Sequence, residues 1–309
     1  ERALTLVGPS DTYVVTGVSL APRVHEELPE LPQENILSEP VGKNTAPCIG
    51  YAAVVIARKD EQATMAVFPS DHLIREPEKL KEAIRFGEQA LSSHPDLLIT
   101  LGVVPDRPET GYGYIAPEAV LLSQEGLTLR RVKAFQEKPA RIVAEQYVKD
   151  GYLWNAGMFL WRVDTILDAF SRHMPELYEG LVALRDGLGN DPASAVEAFY
   201  RDAQAISIDY GVMEKAGRVA VIPVDIGWSD VGSWDAMGNL FITDDSGNSL
   251  RGAAEIIDAR NNVVWSTDKR IVLIGVSDLV VVEGADSILV CPRALSQQVS
   301  VVAKKLDGS

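Results

Sequence analysis

Cysteine is almost absent: Cys48 and Cys291 are the two in 309 residues, and they lie far apart. Two cysteines in a chain this long say little beyond compatibility with a reducing cytoplasm. Histidine is scarce as well, with four. No Cys/His cluster, Ser-His-Asp spacing or GxGxxG stretch occurs, so zinc ligation, triad hydrolysis and a dinucleotide fingerprint have nothing to build on. Basic charge is in deficit: 29 Lys and Arg stand against 44 Asp and Glu, a net charge of −15. That balance argues against a nucleic acid or an anionic membrane as the main partner. A polyanionic substrate then requires a local basic cluster or a metal ion. Long apolar runs are missing too, since stretches such as Leu279–Val282 are far too short to span a bilayer. With no charged-then-apolar leader at the start, the expected location is cytoplasmic.

What is present is alternation. Thr12–Thr16 and Asn35–Ser38 read as strands, with a helix over Val18–Leu28 between them. Gly42–Pro47 leads into a mostly buried helix, Ile49–Arg58, that Asn44 or Thr45 can cap, with Pro47 in its first turn. Met65–Phe68 is a short strand running into Pro69-Ser70-Asp71-His72. Pro77 opens a helix with Leu80, Ala83, Ile84, Gly87, Ala90 and Leu91 on one face. Leu97–Val104 is a strand covered on both sides. This order predicts an α/β fold with a doubly wound, mixed, mainly parallel sheet.

Residues 107–114 are a polar, glycine-bearing loop. Val132–Phe135 is a strand entering Glu137-Lys138-Pro139, with a helix after it to about Lys149. Leu153–Leu160 is apolar except for Asn155, helices occupy Asp164–Arg185 and Pro192–Arg201, and a short one begins at Ile206–Tyr210. The strand Val219–Val224 enters Asp225–Trp234, and a helix over Ser233–Leu240 closes a domain spanning 1–243. In the second domain, 244–309, short β runs recur at about eight-residue spacing, which suggests a small β solenoid or sheet. An amphipathic helix over Arg293–Lys305 ends it.

Asp71 and Asp230 each stand just beyond a strand, where open α/β sheets bind ligands. Over one sheet edge they would repel by about 4 kcal/mol at ~4 Å and an effective dielectric of ~20. A divalent cation removes that penalty, and Mg²⁺ takes one or two carboxylates together with water and phosphate oxygens. A helix cap is the competing role for Asp71. Asp230, flanked by Trp228 and Trp234, reads as functional. Glu137-Lys138 is either a solvated pair or a sugar-and-phosphate contact at a strand end. The Asn155 amide needs a partner, structural or bound. His72 suits capping or supporting its neighbour better than acting as a base.

The stretches Glu39–Pro47, Phe68–His72, Glu109–Ile115, Glu137-Lys138-Pro139, Trp154–Phe159, Ile208–Lys215 and Gly227–Trp234 occur as an ordered set. In this the chain resembles the mannose-1-phosphate guanylyltransferases of the nucleotidyltransferase superfamily. The resemblance implies a Rossmann-like catalytic domain and a small left-handed β-helix. It further implies transfer of GMP from GTP to mannose 1-phosphate, giving GDP-mannose and pyrophosphate by in-line attack with Mg²⁺. It assigns Asp71 and Asp230 to the metal, with Lys138 as the third catalytic residue. Asn44 and Thr45 fall to the nucleotide base, and Gly113, Glu137, Asn155 and Asp209 to the sugar phosphate. A homodimer through the C-terminal β domain fits this reading. Its alternatives are a non-catalytic regulatory nucleotide-sugar-binding paralogue and a pyrophosphorylase for another sugar or base. Residues 1–20 contain no counterpart of the family's first strand and glycine-rich phosphate loop, so a segment ahead of Glu1 is expected. Without one, the chain would carry the metal acids but little transfer activity. The isomerase domain of longer relatives is not expected within these residues.

Overall fold

Leu98–Val103 is buried at every position, which a strand achieves only where both faces are covered, and it lies inside a six-stranded sheet. The computed structural model describes residues 3–238, 240–299, 302, 303 and 305. It forms two compact units: the chain up to Ser70 with Arg75–Ile226, and Asp71–Ile74 with the chain from Gly227 onward.

In chain order come β1 (Val14–Gly17), α1 (Ala21–Glu27), β2 (Ile36–Glu39), α2 (Thr45–Ala57) and β3 (Thr64–Val67). The two-residue strand β4 (Leu73–Ile74) belongs to the second unit. The first unit continues with α3 (Pro77–Ser93), β5 (Leu98–Val103), β6 (Gly113–Gln124), β7 (Leu127–Glu137), α4 (Arg141–Lys149) and β8 (Leu153–Arg162). Helices α5 (Val163–His173), α6 (Pro175–Gly187) and α7 (Pro192–Asp202), a π turn at Asp209–Met213 and β9 (Val219–Val224) complete it. The break between α5 and α6 falls at Met174–Pro175, inside the single helix expected for Asp164–Arg185. Proline cannot donate to a continuing helix but suits the first position of a new one.

The sheet order is β3-β8-β5-β9-β7-β6. The α/β class and the mixed sheet are those expected, but the balance of pairing differs. The β5–β9 pair is parallel, whereas β3–β8, β5–β8, β7–β9 and β6–β7 are antiparallel. β3 and β5 do point the same way; β8 returns between them in reverse and separates them. β1 and β2 form their own parallel pair. Among the described residues one edge of β1 and one of β3 have no strand partner. Both strands rest on a single apolar core that includes Leu37, Met65, Phe159 and Trp161.

The second unit adds β10 (Trp228–Ser229), α8 (Trp234–Gly238), β11 (Ile242–Thr243), β12 (Ser249–Arg251), β13 (Ala254–Ile257), β14 (Val263–Trp265), β15 (Ile271–Ile274), β16 (Leu279–Glu283) and β17 (Ile288–Pro292). β12, β14 and β16 stack in parallel, as do β13 and β15. Of the two forms expected here, solenoid or sheet, this is the solenoid. Buried Asn248 and Asn262 tie successive coils: Asn262 donates to Asn248 Oδ1 at 2.9 Å and accepts from Leu279 N at 2.9 Å. The units divide at Ile226/Gly227, ahead of the expected 243/244, because Trp234 and Phe241 pack with Val263, Val280 and Val282 of the coils. The expected terminal helix is a 3₁₀ segment over Arg293–Gln298, and the stretch beyond it lies partly outside the described residues.

Candidate active site

In the first unit, hairpin pairing sets Gly113 opposite Glu137. A Cβ at Gly113 would overlap Glu137 Oε1 and come within 3.3 Å of Asn155 Cβ, so a side chain here would push the Glu137 carboxylate from its place. On β8, Asn155 lies beside a β-bulge between Thr100 and Gly102 of β5, a device that re-aims side chains. Its Oδ1 accepts from Gly157 N at 3.1 Å, and its Nδ2 donates to Asp209 Oδ1 at 2.8 Å. Both ends of the amide are thereby assigned. Buried Thr100 lies behind it, donating to Met158 O at 3.2 Å.

Asp209 opens the π turn, and α2 holds the segment before it. Thr45 Oγ1 accepts from Ile208 N at 2.8 Å, while Ala46 N donates to Ile206 O at 3.1 Å. Asn44 caps α2, its Oδ1 accepting from Thr45 N at 2.8 Å with φ at 67°. Lys138, with φ at 46°, donates its N–H to Tyr112 O at 3.2 Å beyond the end of the hairpin.

Burial, and after it the charge of Asp209, pushes the Glu137 carboxyl up to about 7, against the pull of Lys138 and Asn155. Asp209 is also raised, by its own burial, with the Asn155 hydrogen bond opposing. Two half-desolvated carboxylates joined by one oriented amide form an acceptor surface suited to the hydroxyls of a sugar.

In the second unit, β4 and β10 pair antiparallel, Leu73 with Ser229 and Ile74 with Trp228. Asp71 and Asp230 come from distant parts of the chain, and this ladder brings their loops to one end. Val231 follows with φ at 51°, a strained value for a β-branched residue. Gly232 N donates to Asp230 Oδ1 at 3.1 Å, and a Cβ at Gly232 would stand 2.5 Å from Oδ2. Among the described residues no group of three or more His, Cys, Asp and Glu forms a cage. Two carboxylates are oxygen donors of the kind a hard divalent cation takes, its remaining positions going to water and phosphate.

Gly113, Glu137, Lys138, Asn155 and Asp209 thus share one neighbourhood, with Asn44 and Thr45 joined to it through Ile208. Asp71 and Asp230 share the other. Thr100 supports this neighbourhood too, and its signal in the sequence is a hydroxyl in a fully buried strand. Glu214, whose pKa is raised by burial and by Asp209, and the contact between His72 and Trp228 have no signal in the spacing of the chain.

Acids and an amide at the strand ends of a mixed α/β sheet, with a β-helix in the same chain, define a protein of the nucleotidyltransferase class. Residues 2–245 match the family described as Nucleotidyl transferase, and residues 254–306 match the MannoseP isomerase/GMP-like beta-helix domain. The chain belongs to the nucleotidyl transferase family. It is 39% identical over 282 residues to a mannose-1-phosphate guanylyltransferase of Klebsiella pneumoniae, covering 89% of this chain and 59% of that protein. The alginate biosynthesis protein AlgA of Pseudomonas aeruginosa is 34% identical over 91% of this chain and 58% of its own length. The chain therefore spans somewhat over half of these relatives. The crystal structure titled mannose-1-phosphate geranyltransferase, from Thermus thermophilus, superposes with a TM-score of 0.86 at 31% identity, covering 99% of this chain and 87% of that one. Among the described residues no helix is long and apolar enough to cross a membrane.

Proposed function

We propose that this chain transfers GMP from GTP to mannose 1-phosphate, giving GDP-mannose and pyrophosphate. The observation that carries the reading is the 39% identity, over 89% of the chain, to an enzyme named for that reaction. The oriented acceptor cluster of Glu137, Asn155 and Asp209 supports it. In this reading Glu137 and Asp209 accept hydrogen bonds from the sugar hydroxyls, and Asn155 fixes where the two carboxylates stand. Gly113 leaves room for Glu137, and Lys138 pairs with the sugar phosphate. Asn44 and Thr45 face the nucleotide base while holding the segment that carries Asp209.

A phosphate oxygen of the sugar bonds to the α-phosphorus as the bond to the bridging oxygen breaks, and pyrophosphate leaves with that electron pair. No side-chain nucleophile takes part, so the chain's contribution is positioning and charge. Members of this family generally use a divalent metal. We take it to be Mg²⁺, held by Asp71 and Asp230 and neutralising phosphate charge when bound. The setting we propose is the cytoplasm, without nucleic acid or membrane as partner. A homodimer would form through the β-helix unit, where Ile257, Val272 and Ile274 are exposed.

The test is pyrophosphate release by the full-length protein with mannose 1-phosphate and GTP, dTTP or UTP. Release with GTP, abolished by chelation and by Asp230→Ala, is expected. Preference for dTTP would overturn the guanylyl assignment, and binding without release would favour the non-catalytic paralogue.

A further inference from the structure

We propose that His72 and Trp228 form a strap that sets the position of the two metal-binding carboxylates, which makes both of them positioning residues for the cation. The proposal rests on the reading of Asp71 and Asp230 as the metal acids. The β4–β10 ladder contains two residue pairs, and a pairing so short is marginal without further support. Support comes from Trp228 Nε1, which donates to His72 Nδ1 at 3.0 Å. The two rings meet edge to face, with centroids 5.3 Å apart and planes at 80°, within the favourable range for aromatic pairs. Because Nδ1 accepts, the neutral imidazole carries its proton on Nε2.

The sequence positions give this contact its consequence. His72 directly follows Asp71, and Trp228 opens the two-residue strand that Asp230 directly follows. One hydrogen bond therefore ties together the backbones that carry the two acids. From the other side, the Gly232 N–H and the strained Val231 hold Asp230. Mg²⁺ demands near-ideal octahedral geometry, so a loosened spacing between the acids weakens its binding. Supporting hydrogen bonds around metal ligands typically change affinity by about 10–100-fold when removed.

The experiment is calorimetric titration of the full chain with Mn²⁺ alone, alongside melting curves taken without metal. W228F keeps the ring packing but removes the N–H donor, and H72L removes the acceptor; each is expected to bind Mn²⁺ about 10-fold more weakly. H72N puts an amide oxygen near the place of Nδ1 and should restore most of the binding. The KM for the sugar phosphate should stay near wild type in W228F. Wild-type Mn²⁺ affinity in W228F, with D230N losing binding, would overturn the strap while leaving the metal acids in place. Undiminished binding in D230N would overturn the metal reading itself, and the strap with it. A melting temperature near wild type in W228F separates loss of binding from loss of fold.

Discussion

Asn155 donates its Nδ2 to Asp209 Oδ1 across 2.8 Å, joining β8 to the head of the π turn. The same amide favours the ionised form of Glu137, whereas Asp209's charge opposes it. Asp209→Asn keeps an oxygen for the amide and removes that charge. The Glu137 titration should then fall below about 7. The readout is the pH at which mannose 1-phosphate affinity changes, and a midpoint unmoved by the substitution would show that the two carboxylates are not coupled.

Glu137 also makes a stability prediction. Its carboxyl stands near 4.5 in the unfolded chain and at about 7 in the fold, so between those values the native state retains a proton that the unfolded state has lost. Stability therefore falls as pH rises through that window and stays lower above it. Urea midpoints from pH 5 to pH 8 should decline in the wild type and stay flatter in Glu137→Gln.

Gly113→Ala places a methyl group where Glu137 Oε1 stands. The carboxylate must swing aside, and a displacement of about 1 Å at such a site can cost ~100-fold in kcat/KM. The KM for the sugar phosphate should rise, with the melting temperature little changed. Equal effects on GTP and sugar-phosphate KM would argue that Gly113 serves the fold alone.

Glu283 is buried in the β-helix unit and accepts from the backbone N–H groups of Thr267, Asp268 and Lys269. These bonds, led by Lys269, hold its carboxyl at about 2, against 4.5 unfolded. The depressed value means stabilisation at neutral pH that is lost as pH falls from about 4.5 towards 2. Glu283→Gln should melt earlier than wild type at pH 7, and the two curves should converge in strong acid.

Val231→Gly relieves the positive φ and should stabilise the fold by about 1 kcal/mol. The same change frees Asp230, so Mn²⁺ affinity should drop as the melting temperature rises. A parallel rise in both would show that the strain has no bearing on the acid.

Much of the framework was legible because burial leaves a periodic mark. The helix opened by Pro77 buries Leu80, Ala83, Ile84, Gly87, Ala90 and Leu91, the face its spacing announced. The short β runs after residue 250 became coils for the same reason. The long hairpin β6–β7 was read only at its end. Pro117 and three register shifts interrupt its pattern, and much of the strand is exposed, so alternation fades. The direction of β8 left no trace, since an apolar run reads the same in either orientation. Asp71, Asp230, Glu137 and Asn155 stood out as polar residues at strand ends or in apolar surroundings. Thr45's hold on Ile208 and Trp228's on His72 are contacts between distant segments, which spacing along the chain does not reveal.

Asp71–Ile74 is counted with a unit whose remaining residues begin at Gly227. During synthesis that strand must wait, unpaired, while about half of the chain is made before its partner emerges. Closing so long a loop is slow relative to local structure. The two carboxylates thus come together only through a pairing that closes about half of the chain. A fragment beginning at Gly227 would keep the β-helix coils but lack β4, Asp71 and His72, and with them one of the two carboxylates.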